Sequence, residues 1–79
     1  MAAADNEQDW AHRARRFLRA EIKRAEISYA ELAERLKEHG LKETEASIAN
    51  KLSRGTFAAT FFLATMKAIG RENVNLADV

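Results

Sequence analysis

Ser47, Asn50, Lys51 and Arg54 stand at i, i+3, i+4 and i+7 within the stretch TEASIANKLSRG, residues 44–55. In a helix that spacing sets all four along one stripe, where a single groove or surface meets them together. Asn pairs bidentately with adenine, Lys and Arg with guanine or phosphate, and Ser with either, so the residue types suit a reader of the DNA major groove. Ile48, Ala49 and Leu52, preceded by Leu41, are expected to form the inward side. Two readings of the stripe stay open: a DNA-reading face, or the ordinary solvated side of an amphipathic helix.

Other chemistry finds little support. His12 and His39 fall on different helices, without the convergent Asp, Glu, Cys or His residues that catalysis or metal binding needs. Asp9 lies one helical turn before His12 and Arg13, an ordinary arrangement of helix-surface charges. There is no cysteine, hence no disulfide, thiolate site or cysteine nucleophile. The three glycines are dispersed, each after a helix, and form no phosphate loop. The sequence therefore predicts a protein that is not an enzyme, with no cofactor, no metal and no small-molecule substrate.

At 79 residues the chain is one domain, and a domain of that size buries only about 60% of the surface of its unfolded chain, so a partner copy would help its stability. An apolar fraction of 47%, a charged fraction of 32% and no proline fit an all-α fold. The start MAAADNEQDW lacks a basic stretch followed by an apolar run, and no window approaches the ~20 apolar residues of a membrane span. A soluble, cytoplasmic protein is expected. The net charge of +1 is modest. Its distribution is uneven: Asp5, Glu7 and Asp9 make the start acidic, whereas Arg13, Arg15, Arg16, Arg19, Lys23 and Arg24 face only Glu21. Arg15, Arg16 and Arg19 are either a solvated surface or a flank that contacts phosphates.

The elements that must carry these residues follow from periodicity and capping. Residues 1–8 are expected to be flexible, and 9–79 to form a single helical domain. Helix one should run over about 9–25 and bury Trp10, Ala14, Phe17, Leu18, Ile22 and Ala25. Ser28 and Glu31 match a capping box, with Ile27 and Leu32 as its hydrophobic staple. The helix they start should bury Tyr29, Leu32, Ala33 and Leu36 and stop at Gly40. Thr44 is the expected N-cap of the third helix and Gly55 its stop; Thr56 is the expected cap of a fourth over 57–69, ending at Gly70. Phe57, Phe61, Phe62, Leu63, Met66 and Ile69 spread around most of that last helix. Either the other helices wrap it or part of it is a subunit interface. Val74 and Leu76 give the tail an alternating, extended pattern, suited to packing against another chain. The fold class is thus a compact all-α bundle of four helices with a short extended C-terminal tail.

Glu31-Leu32-Ala33-Glu34-Arg35-Leu36, then Ile48, Leu52 and Gly55, and the apolar helix after them resemble a helix-turn-helix domain of the Cro and lambda-repressor type over about 27–70, with the motif itself near 28–55. Lys37, Glu38 and His39 before Gly40, and Lys42 and Glu43 after it, make the first motif helix about one turn longer than usual and lengthen the corner. Trp10, the Tyr29-Ala30-Glu31-Leu32-Ala33 segment and the Asn50-Lys51-Leu52-Ser53-Arg54-Gly55-Thr56-Phe57 signature are more specifically similar to a small bacterial domain family of unknown function. The first resemblance implies a dimeric, DNA-binding transcriptional regulator. In it Ser47, Asn50 and Lys51 face bases of duplex DNA, and Arg54 with Arg15, Arg16 and Arg19 contact phosphates. Glu43 and Glu45 beside the start of the reading helix speak against it, because glutamate repels phosphate. The alternative is a helical protein-interaction domain that does not bind DNA and associates, as a homodimer or with another protein, through the 57–69 helix and the tail.

Overall fold

The computed structural model describes residues 6–79, and the expected flexibility of residues 1–5 lies outside them. The chain forms α1 (Glu7–Arg24), α2 (Tyr29–Glu38), α3 (Glu45–Arg54) and α4 (Ala59–Ala68), then a single 3-10 turn, Leu76–Asp78, at the end of the tail. No strand occurs among the described residues.

Local chemistry sets the helix starts. α1 begins earlier than the periodicity predicts, because the Asn6 side chain accepts a hydrogen bond from the Asp9 amide at 2.9 Å, so residues 6–8 belong to the helix start and not to a flexible segment. Ser28 caps α2 by accepting from the Glu31 amide at 3.1 Å. The expected return bond of that capping box is replaced by a longer-range one, since the Glu31 carboxylate accepts from Arg35 at 2.6 Å, one turn on. At α3 the box is complete: Thr44 Oγ1 accepts from the Ser47 amide at 3.0 Å while Ser47 Oγ accepts from the Thr44 amide at 2.8 Å. Thr56 does not cap α4. The helix starts at Ala59, with Ala58 extended before it and no side-chain cap. Phe57 is drawn into a ring cluster instead, 5.5 Å from Phe61 and 6.4 Å from Phe62 between centroids, and this holds the connection out of the helix.

The core is built from Leu18 and Ile22 of α1, Leu32 and Leu36 of α2, Ile48 and Leu52 of α3, and Phe61, Met66 and Ile69 at and beside α4. α3 packs against both α1 and α2, and α4 packs against α2. The fourth helix is therefore not wrapped by the others, and Leu63 on its outer side is 64% exposed. Two inward assignments also change. Ala49 is exposed, because only Ile48 and Leu52 point from α3 into the core. Trp10 is 53% exposed, its ring covered by the Arg13 guanidinium at 5.2 Å from the ring centroid.

Guanidiniums tie helix ends across the bundle. Arg15 of α1 donates to the Ser53 carbonyl at 2.8 Å, near the end of α3. Arg35 of α2 donates to the Ala68 carbonyl at 3.2 Å, at the end of α4. Both carbonyls lack an intrahelical partner, and a cation suits that negatively polarised end. Glu21, buried in α1, accepts from Arg24 at 2.9 Å and from Arg71 beyond α4 at 2.7 Å, joining the tail to the first helix.

Thr65 is fully buried in α4, and its hydroxyl has no hydrogen-bond partner. A buried hydroxyl left unpaired costs about 1–3 kcal/mol. Thr65→Val keeps the shape and removes the group, so it is expected to raise the urea midpoint, corresponding to about 1 kcal/mol of added stability.

Candidate nucleic-acid interface

The capping box and the Gly55 stop fix α3 at both ends, and its two inward residues, Ile48 and Leu52, fix its rotation. The outward side then comprises Ala46, Ala49, Asn50, Ser53 and Arg54, all exposed, with Glu45 exposed at the first turn. Small side chains at 46 and 49 leave the helix backbone accessible to close approach, with Asn50 and Ser53 standing between them and the C-terminal end.

The four residues of the expected stripe divide into two pairs. Asn50 and Arg54 are exposed. Ser47 and Lys51 are half-buried and converge on Glu43, in the corner before the helix. Ser47 Oγ donates to one Glu43 carboxylate oxygen at 2.6 Å, and Lys51 Nζ donates to the other at 2.5 Å. Lys51 also lies 5.2 Å from the centroid of the Phe61 ring. Glu43 was the residue that the stripe alone did not reveal: its side chain is only 8% exposed, and it consumes two of the polar groups expected to face a ligand.

Burial opposes the charge on Glu43, but the hydrogen bonds from Lys51 and Ser47, with the nearby Lys51 charge, outweigh it and hold the carboxyl below its ordinary value. A carboxyl depressed in the folded state stabilises the fold above the unfolded value of about 4.3, and that stabilisation is lost as pH falls through the lower folded value. Glu43→Gln is therefore expected to be less stable than the parent at pH 7, with the difference between their urea midpoints shrinking towards pH 3.

The basic residues of α1 divide as well. Arg15 is half-buried and committed to Ser53 and to the Nδ1 atom of His12. It borders a cleft of about 320 Å³ that it shares with Arg54, Gln8, Asp9, Ala11 and His12. Arg19 is exposed. Arg16 is exposed but lines a different cleft, of about 100 Å³, together with Arg13, Arg24 and Asp78 of the tail. The fold thus brings Arg15 and Arg54 together and sets Arg16 apart from them. Gln8 and His12 beside Arg54 are not revealed by the spacing along α3; the usable signal was along α1, where Gln8, His12, Arg15 and Arg19 recur at i, i+4, i+7 and i+11.

The architecture defines a small all-α domain with four helices. The chain matches the family described as Domain of unknown function (DUF6471) over residues 10–74 and belongs to that family. No curated protein and no solved structure matches the chain. Among the described residues, no helix is long and apolar enough to cross a membrane.

Proposed function

We propose that this domain is a non-enzymatic, cytoplasmic module that binds duplex DNA and acts in transcriptional regulation, with α3 entering the major groove. The α2–corner–α3 arrangement, similar to a helix-turn-helix, agrees with it. The observation that carries the reading is the outer face of α3, where Ala46 and Ala49 permit close approach and Asn50, Ser53 and Arg54 supply exposed hydrogen-bonding groups. Asn50 is the base-reading residue in this scheme, and Arg54 with Arg19 meets phosphates. Ser47 and Lys51 position the helix through Glu43 instead of contacting bases. The acidity of the corner is correspondingly less of an obstacle, since Lys51 neutralises Glu43 and leaves Glu45 as the exposed carboxylate of the first turn.

Fluorescence anisotropy of a labelled random-sequence duplex, titrated with the protein at several salt concentrations, tests this. Phosphate contacts make log affinity fall with log salt by about 0.9 per neutralised phosphate, so micromolar binding with a slope of roughly three or more is expected. Arg54→Ala should lower that slope by about one. Absence of binding at low salt overturns the reading.

A second reading rests on Leu63, 64% exposed beside a cleft of about 410 Å³ bordered by Phe62, Met66 and Val74, and on Leu76 of the tail, 80% exposed. Such apolar exposure suits association with another protein or a second copy through α4 and the tail. It predicts a dimer mass in sedimentation that Leu63→Glu abolishes without loss of helicity.

A further inference from the structure

We infer that the cleft between the start of α1 and the end of α3 is a phosphate site, gripping one phosphodiester of the DNA backbone beside the groove that α3 enters. The role of the cleft rests on the DNA-binding reading above. Its lining combines the guanidiniums of Arg15 and Arg54 with Gln8 and His12, and among the described residues Asp9 is the one carboxylate that borders it. The two guanidiniums outweigh that carboxylate, so the cleft favours an anion.

Arg15 and His12 are held in place, and Gln8 and Arg54 are free to adjust around them. Arg15 cannot swing away, because one of its terminal nitrogens donates to the Ser53 carbonyl and the other to His12 Nδ1. A guanidinium has no acceptor, so Nδ1 of His12 is the accepting nitrogen and the ring proton sits on Nε2. The exposed imidazole therefore offers an N–H donor, oriented by Arg15. Gln8 lies one turn earlier on the same side of α1, and its exposed amide adds a second neutral donor. Arg54 reaches the cleft from α3 and supplies the mobile charge. The separation of the two helices is fixed where they meet: a Cβ at Gly55 would stand 2.2 Å from the Ala11 carbonyl oxygen. A fixed guanidinium–imidazole pair, with a neutral amide and a flexible cation beside it, suits a tetrahedral oxyanion.

The test uses the full chain, with a duplex oligonucleotide and inorganic phosphate as separate probes. Gln8→Ala with His12→Ala removes two exposed, uncharged donors, and circular dichroism checks that the fold persists. The double variant is expected to bind duplex several-fold more weakly with an unchanged salt slope, because neither lost group neutralises a phosphate charge. In the parent, the His12 side-chain nitrogen resonances should move on duplex addition. Equal duplex affinity in the double variant, with His12 signals unmoved, overturns the phosphate site while the DNA reading stands. If the parent binds no duplex, the DNA reading fails, and inorganic phosphate decides the site. Movement of the His12 signals by millimolar phosphate, lost on Arg54→Ala, supports an oxyanion site with a free phosphate as its source; no movement overturns it.

Discussion

Gly55→Ala is expected to lower stability by about 3 kcal/mol, the sum of a left-handed backbone forced on a residue with a Cβ and an overpacked contact. Gly55 has φ +75°, and an added Cβ would lie 2.2 Å from the oxygen and 2.8 Å from the carbon of the Ala11 carbonyl. Those are backbone atoms of α1, so neither can rotate away, and α1 must move off α3. For a domain of this size 3 kcal/mol corresponds to a fall in Tm of roughly 12–24 °C. Gly40→Ala is the control. Gly40 has a similar φ of +83° but nothing within 4 Å of the added atom, so it should lose only about 1 kcal/mol. Thermal melts followed by circular dichroism compare the two, and equal losses would mean that backbone strain alone explains Gly55. Because Arg15 and Arg54 approach one another where Gly55 meets Ala11, the variant should also weaken DNA binding beyond its effect on stability.

Leu52→Ala is the second large effect, expected to cost about 2–5 kcal/mol through lost burial and the cavity left behind. Leu52 is fully buried between α3 and its neighbours. A chain of this length holds only about 4–12 kcal/mol in total, so this variant should lose a large share of its stability and unfold at a much lower urea concentration. Leu63→Ala makes the same chemical change on α4, where the side chain is 64% exposed, and should stay within about 0.5 kcal/mol of the parent. Urea denaturation of the pair reads out which helix carries the core. A large loss at Leu63 would instead show that its outer side is covered in solution, as a dimer through α4 requires.

Much of the fold was legible because this chain marks its helix ends with local signals. Ser28 and Thr44 cap within their own turns, and Gly40, Gly55 and Gly70 each follow a helix, all with positive φ. Glu26 takes the same left-handed conformation after α1, φ 58°, without a glycine to announce it. The start of α4 was misread because Thr56 satisfies a capping rule that the Phe57 ring overrides by packing on Phe61 and Phe62. The outer stripe of α3 was half legible. Spacing gives the direction in which a side chain leaves the helix, but Ser47 and Lys51 are decided by Glu43 in the preceding corner, and Arg15 by a carbonyl 38 residues away. Partners that fold from elsewhere in the chain leave no mark on a helix's own periodicity. Trp10 failed for a related reason: an apolar stripe gives the core side of α1 but not where the neighbouring helices stop covering it.

The uncapped start of α4 also sets a gradient of motion within the domain. Ala58 offers no side-chain acceptor, so the first amides of this helix depend on water, whereas the corresponding ends of α1, α2 and α3 are closed by Asn6, Ser28 and Thr44. Fraying of Ala59 and Thr60, exposed ahead of the buried Phe61, needs no core contact to break, and its free energy is small beside global unfolding. In hydrogen exchange the amides of Thr60 and Phe61 should be replaced by deuterium long before those of Leu36 or Leu52. The bundle therefore opens first at α4, while the α1–α3 seam that carries the proposed DNA contacts stays shut.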